Sequence, residues 1–473
     1  MTALWIAGDL AAATGGTLTR DFAAAGVSID SRTVTAGDLF IALQGPNFDG
    51  HAFVADALAK GTAGALVAQS FVAGGAAGLA ADAPLLVVGD TLAALTALGR
   101  AARQRSHARI IAVTGSVGKT GTKEALRLAL AACGRTFASA GGLNNHWGAP
   151  LSLARMPPDV AFGIFELGMN HPGEIAVLTW LVRPHVAVIT AVEPAHLGFF
   201  PSLEAIADAK AEIFLGLEPG GIAVLNRDNP HFARLSAAAR RAGAAEVIGF
   251  GAHPKAAVRL LDCVLRPRSS TIEAALPGAV LRFALPVPGR HWVMNSLAVL
   301  ASAEAAGGDP RRAAEALAEL EEFPGRGRCC ELSWRGGILT LIDESYNASP
   351  AAVGAALAVL AATPPGAGAR RVAVLGDMLE LGRASARLHR ELAEPLAAAK
   401  VDRVFLIGTA VAALYEALPE AKRGGLWPTA EAAVPELLCF LRAGDIVTVK
   451  GSRGVGLGRI VERLRAESTR PET

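Results

Sequence analysis

Cysteine is scarce: the 473-residue chain has five (Cys133, Cys263, Cys329, Cys330 and Cys439), an odd and scattered set without a CxxC pair. That excludes a disulfide framework and the usual zinc spacings, and it fits a reducing compartment. No basic run and no basic–aromatic stripe disturbs the balance of 45 Lys+Arg against 43 Asp+Glu, so no nucleic acid partner is expected. No uncharged apolar run approaches the roughly 20 residues that a spanning helix needs. The positive mean hydropathy of +0.37 comes largely from alanine. The segment MTALWIAGDLAAATGG has no cation before Arg20 and so lacks the basic stretch of a secretory signal. These absences predict a cytoplasmic protein without membrane insertion.

What is present is material for buried cores, with 52% hydrophobic and 19% charged residues and no compositional sign of disorder. Single cores stop growing near roughly 250–300 residues, so a chain of this length predicts two or three domains. Short β-rich runs alternate with alanine-rich, helix-length stretches, the pattern of α/β layers with largely parallel sheets. Strands are expected at 39–43, 65–68 and 85–88, then a connecting helix over 91–105. A second set is expected at 110–113, 162–165, 186–190 and 222–226. After the Phe323-Pro324-Gly325 break a third, Rossmann-like set is expected at 338–342, 371–375, 404–407 and 446–449. The reading is therefore α/β with three domains, 1–105, 106–322 and 323–473. Ligands are expected at the carboxyl ends of the parallel strands.

The strongest local signal is the apolar 110–113 run leading into Thr114-Gly115-Ser116-Val117-Gly118-Lys119-Thr120 and then the helix former KEALRLALAA. Strand, glycine loop and helix come in the order a nucleotide phosphate site needs. Glycines let backbone N–H groups curl around phosphates, Lys119 supplies positive charge, and the Thr120 hydroxyl is suited to Mg²⁺. Val113 stands where the first glycine of GxxxxGK[ST] would be. Read locally, the segment is also a strand-to-helix turn with a capping threonine. Even as a phosphate loop it leaves kinase, GTPase, transporter ATPase and ligase open.

Three further residues stand in weaker signals. Glu166 closes the apolar strand AFGIF, His196 lies in AVEPAHLGFF after another strand, and Lys210 lies in the helix-like LEAIADAKAEIF. Each taken alone reads as a cap or a surface group. No Ser-His-Asp or Cys-His arrangement stands out.

Ten segments then occur in order: TGSVGKT, GGLNNHWGAPLSL, FELGMNHPGEI, EPAHLGF, ADAKAEIF, GRHWVMNSLAVLA, FPGRGR, LIDESYNASP, VLGDMLELG and VKGSRGVGL. On these the chain resembles the Mur ligase family, and most closely its D-alanyl-D-alanine-adding branch. LGDMLELG and KGSR are similar to that branch's C-terminal signatures, and no DNPR motif like that of the diaminopimelate-adding branch is present. The chain departs from the family at His291-Trp292, where His-Asn is frequent.

The resemblance implies an ATP-dependent amide-bond ligase of peptidoglycan synthesis, in which an acyl phosphate forms on UDP-N-acetylmuramoyl-tripeptide and is attacked by D-alanyl-D-alanine. It implies a UDP-substrate-binding first domain, a P-loop ATPase-like second and a dipeptide-binding third, in a protein expected to be a monomer. ATP would lie on Gly115, Ser116, Val117, Gly118, Lys119 and Thr120. Asn295 would meet the adenine end, with Arg326 and Asp343 reaching the nucleotide from the third domain. Thr120, Glu166 and His196 would hold Mg²⁺, together with Lys210 as a carbamate; Lys119, Glu166, His196 and Lys210 would be the catalytic set. Asn144 and Asn145 would line the acceptor site, and Ser31, Arg32, Asp49 and His51 would bind the UDP-sugar, although a turn and a helix cap also explain those segments. Asn347 would bind substrate, and Lys450, Ser452 and Arg453 would face the dipeptide from a strand end that is expected to open a helix, a place suited to a carboxylate.

Overall fold

A computed structural model describes residues 3–76, 78–366 and 368–468. The outermost residues of the first and third expected domains lie outside the described residues. Three main sheets follow one another along the chain, and the turn signals fall between them.

The first sheet has five strands in the order Thr17–Leu18, Leu85–Val88, Gly64–Ala68, Asp38–Ile41 and Gly26–Ser28, parallel except for the first. The stretch HAFVADALAKG is shorter as a helix than its composition implies, a 3-10 turn Gly50–Phe53 leading into Val54–Ala59. The helix Thr91–Arg105, capped by Asp90, then leads into the second sheet. Its Leu95, Leu98 and Ala102 are buried in one apolar cluster with residues of both sheets, which follows from their helical spacing.

The second sheet has nine strands. Seven are parallel: Thr136–Ala138, Phe162–Glu166, Arg109–Thr114, Val186–Ile189, Ile222–Asn226, Glu246–Gly251 and Val258–Arg266 in spatial order. Ser269–Leu276 and Ala279–Leu285 follow Val258–Arg266 as an antiparallel edge that the sequence reading did not anticipate. The third sheet runs Arg328–Trp334, Gly337–Glu344, Ile446–Lys450, Arg371–Gly376, Arg403–Ile407 and Arg423–Trp427, parallel except for its first strand. Continuous apolar runs such as Ile110–Val113 and Val372–Leu375 are buried throughout, as strands covered on both faces require.

Among the described residues no helix is long and apolar enough to cross a membrane. All five cysteines are free thiols.

Candidate active site

Register alone brings the central residues together. Arg109–Thr114 lies between Phe162–Glu166 and Val186–Ile189, with Val113 opposite Glu166 and Thr114 opposite Ile189. Three neighbouring strands therefore release, at one edge, the glycine loop, Glu166 and the 190–198 loop. The 190–193 segment secures the glycine loop: Ser116 N–H donates to Ala191 O at 2.8 Å, the Thr190 hydroxyl to Val117 O at 2.5 Å and the Ser116 hydroxyl to Glu193 O at 2.9 Å. Glycine is required at 115, where φ is +152° and a Cβ would lie 1.9 Å from the Thr190 hydroxyl oxygen. Gly118, at φ +82°, faces the Asn295 side chain. Val113 is a buried strand residue, so the curl of the loop begins after it.

The helix Lys119–Ala131 starts at this loop. Lys119 Nζ donates to Gly115 O at 2.7 Å. Burial lowers its pKa and Arg326 acts in the same direction, while Glu166 opposes them. The Glu166 carboxylate is 4% exposed. One of its oxygens accepts from the Thr120 hydroxyl and the other from Asn144 Nδ2, both at 2.8 Å. Lys210, near the end of the helix Leu203–Ala211, is 2% exposed. Burial drives its pKa well down and Lys119 lowers it further, with no carboxylate among the described residues counteracting them. It is a buried group and not a surface lysine.

The third sheet contributes a second edge. Glu344 and Leu375 are both register partners of Lys450, so the loops after three adjacent strands emerge together. Lys450 Nζ is buried and donates to Glu344 Oε2 at 3.0 Å and to Asn347 O at 3.1 Å. The Tyr346 ring is flanked by the Arg326 guanidinium at 3.9 Å and that of Arg453 at 5.7 Å. The strand ending at Lys450 passes through a 3-10 turn, Arg453–Val455, before the helix Gly458–Ser468, so this segment does not open a helix directly.

The two edges line one cleft of about 570 Å³. Ser116–Thr120, Asn144, Glu166, His196 and Asn295 come from the second sheet's side, and Arg326, Asn347, Lys450, Ser452 and Arg453 from the third's. Sequence reasoning had not picked out Glu344, Tyr346 or Glu380 as cleft residues, although they stand inside the quoted segments LIDESYNASP and VLGDMLELG. Trp292 also lines the cleft, stacked on Phe323.

Several expected residues are engaged elsewhere. Asn145 does not line the cleft; its side-chain oxygen caps the helix Gly148–Arg155 by accepting from Gly148 N–H at 2.9 Å. Asp343 is 3% exposed and accepts from Gly325 N–H at 3.1 Å and from the Ser345 hydroxyl at 2.6 Å, so it anchors the turn that carries Arg326 in place of lining the cleft itself. Ser452 does line the cleft, yet its hydroxyl accepts from Leu379 N–H at 2.9 Å.

The first-sheet set lies outside this cleft. Arg32 folds back on Asp30 at 2.7 Å and holds that carboxyl down at about 2. The Ser31 carbonyl accepts from Lys60. His51 is fixed between Asp49 and the Ala68 N–H. The Phe48 ring meets Trp147 edge-on at 6.0 Å, joining the 44–50 loop to the loop that carries Asn144.

Known proteins agree with this architecture. Residues 24–103, 113–303 and 325–453 match, in turn, the Mur ligase family catalytic domain, the Mur ligase middle domain and the Mur ligase glutamate ligase domain. The chain is 34% identical over 436 residues to the UDP-N-acetylmuramoyl-tripeptide--D-alanyl-D-alanine ligase of Rickettsia prowazekii, covering 92% of this chain and 94% of that one. The crystal structure of MurF from Acinetobacter baumannii superposes with a TM-score of 0.83 at 30% identity, over 98% and 99% of the two chains. That of MurF ligase from Thermotoga maritima in complex with ADP superposes with a TM-score of 0.75 at 27% identity, over 93% and 97%. With the same three domains in the same order and a relative of this identity along nearly its whole length, the protein belongs to the Mur ligase family.

Proposed function

We propose that the chain is an ATP-dependent ligase that joins D-alanyl-D-alanine to UDP-N-acetylmuramoyl-tripeptide, acting as a monomer in the cytoplasm. The observation that carries this reading is the single cleft onto which two strand-end edges converge. Its phosphate loop is on one wall and a cationic pair, Lys450 and Arg453, is on the other. Such an arrangement would bring phosphoryl donor and carboxylate-bearing dipeptide within reach of one acceptor. The names of the relatives support the choice of substrates.

A free carboxylate is a poor acyl donor, and phosphorylation corrects that. The γ-phosphoryl group passes from ATP to the terminal carboxylate of the tripeptide, and ADP leaves. The dipeptide amine then attacks the acyl carbon, phosphate leaves with the bonding electron pair, and the amine loses a proton. No side-chain nucleophile is needed, so the chain's part is positioning and charge neutralisation by Lys119 and Arg326. Asn144 orients Glu166 and borders the acceptor. Residues 1–105, through Ser31, Arg32, Asp49 and His51, are assigned to the UDP-sugar, 106–322 to ATP, and 323–473 to the dipeptide. Asn347, Lys450, Ser452 and Arg453 are assigned to that dipeptide, and Asn295 to the adenine end.

The donor set suits magnesium, which usually takes one or two carboxylates and completes its shell with phosphates and water. A buried Glu166 beside the Thr120 hydroxyl fits that habit, and among the described residues no cluster of three acidic, His or Cys side chains forms a full cage. Thr120, Glu166 and His196, which line the cleft, would hold the ion, joined by a carbamylated Lys210, which is buried and is not itself among the cleft-lining residues. Bound there, it would offset charge on the transferring phosphoryl group.

Support for the carbamate is electrostatic. Burial, and after it the charge of Lys119, shift Lys210 toward the neutral amine, the form that adds carbon dioxide. The nitrogen–carbon bond forms, one N–H proton leaves, and an anion results next to Lys119.

Purified enzyme should release phosphate only with ATP, Mg²⁺, UDP-muramoyl tripeptide and D-alanyl-D-alanine together, and mass spectrometry should find the pentapeptide. A free amino acid used with higher kcat/KM than the dipeptide would overturn the assignment.

A further inference from the structure

The second and third sheets are joined at a contact whose third-sheet partner, Glu380, the reaction as proposed leaves unused. The loop after Val186–Ile189 carries Ala195–Gly198, and the loop after Arg371–Gly376 carries Asp377–Gly382. They meet in three chemically different ways. Glu380 Oε2 lies 2.5 Å from His196 Nδ1, Gly198 N–H donates to the Glu380 carbonyl at 2.7 Å, and Leu197 packs against the apolar core of the third sheet.

The contact is held in a specific backbone geometry. His196 and Glu380 are both left-handed, at φ +58° and +64°, although neither is glycine. Such conformations persist where the surroundings over-determine them, and they cluster at functional sites. Behind Glu380 the loop is clamped along its length. The buried Asp377 carboxylate accepts from Thr409 N–H at 3.0 Å and Val411 N–H at 2.8 Å, Met378 N–H donates to the buried His389 Nε2 at 2.9 Å, and Leu379 N–H donates to the Ser452 hydroxyl at 2.9 Å. A carboxylate delivered from so fixed a loop is built to meet one partner.

A carboxylate facing Nδ1 keeps the proton on that nitrogen and leaves the Nε2 lone pair for a ligand in the cleft that His196 lines. Histidines that bind metals are commonly oriented in this way by an outer carboxylate. We propose that Glu380 is a positioning residue: by taking the His196 Nδ1–H, it sets the tautomer and ring orientation of that histidine, and it does so only when the third-domain loop is docked on the central one. The inference rests on the reading of His196 as a magnesium ligand. It adds that the ion's site is completed by a residue of a different domain, 184 positions away in sequence.

Mn²⁺ in place of Mg²⁺ makes this measurable without turnover. Free Mn²⁺ is titrated by electron paramagnetic resonance against the full chain with ADP, for wild type, Glu380→Ala, Glu380→Gln and His196→Ala. Glu380→Ala should bind Mn²⁺ roughly 10–100-fold more weakly. Its thermal midpoint should barely change, since the Glu380 side chain is 40% exposed. Glu380→Gln, whose amide oxygen still accepts from Nδ1–H, should retain most of the affinity. If Glu380→Ala binds Mn²⁺ as wild type does while His196→Ala does not, the positioning role fails and the metal assignment stands. Wild-type binding by both alanine variants would overturn His196 as a ligand and the inference with it. Equal losses in Glu380→Ala and Glu380→Gln would refute the acceptor role.

Discussion

Lys210→Ala separates two roles that one buried side chain can play. As a surface-type cation Lys210 would be dispensable, but it is 2% exposed beside Lys119, with no carboxylate offsetting their repulsion among the described residues. Truncating a large buried side chain costs about 2–5 kcal/mol through lost contacts and the cavity left behind. A loss of that size leaves a domain of ordinary stability folded. The rate should fall much further, by about 10²–10³ in kcat, the usual loss when one preorganised charge-stabilising group is removed from a water-poor site. On the proposed carbamate reading, formate or acetate supplied in place of the lost group should restore part of the negative charge, so phosphate release by Lys210→Ala should rise with carboxylate concentration and saturate. Lys210→Arg should not respond, because its guanidinium remains charged and fills the site. Phosphate release measured against formate concentration, beside a thermal melt of each variant, tests all of this. Wild-type turnover by Lys210→Ala without added carboxylate would refute the reasoning.

Two further outcomes follow from the geometry around the glycine loop. Gly115→Ala would place a methyl group 1.9 Å from the Thr190 hydroxyl oxygen at a backbone angle that alanine disfavours, so ATP binding measured by calorimetry should be lost while circular dichroism is retained. His185 accepts from Ile110 N–H through Nδ1 at 2.9 Å, at the start of the strand that leads to the loop, and burial lowers its pKa from 6.5 to about 4. Between these values the unfolded chain binds a proton that the folded chain refuses. The stability is therefore fully present above pH 6.5 and is lost as pH falls toward 4, by on the order of 3 kcal/mol. Urea midpoints should track that decline, and His185→Asn, which keeps an acceptor but cannot titrate, should flatten it; an unchanged pH profile in the variant would show that other groups cause the decline.

The glycine loop was legible because its information is local. Strand, turn and helix adjoin in the chain, and the chemistry of Gly115, Gly118, Lys119 and Thr120 follows from that order alone. The parallel strands were legible for the same reason, since burial on both faces demands unbroken apolar runs. The antiparallel edge Val258–Leu285 was not: Ser269–Leu276 and Ala279–Leu285 alternate buried with more exposed residues, most of Val258–Arg266 beyond Leu260 is exposed, and the strands carry charges such as Arg259, Glu273 and Arg282, so no long apolar run marks them.

At the site the division is sharper. The ordered segments were enough to name the family and to point to cleft residues such as Lys119, Glu166, Arg326 and Lys450. They could not reveal that Asp343 anchors the Gly325 turn, that Asn145 caps a helix, or that Lys210 is buried without a counter-charge. Each of those depends on which hydrogen-bond partner or neighbour packing supplies, and the type of a polar residue does not specify its partner. The sequence by itself determined the three α/β units, their order and the phosphate loop, because those arise from apolar periodicity and turn chemistry within a few residues. Only the tertiary structure decided that Glu166 stands opposite Val113, that Lys450 meets Glu344, and that Glu380 reaches His196. Sheet register and the docking of one sheet edge on another are set by the packing of whole domains, at separations where no local pattern carries information.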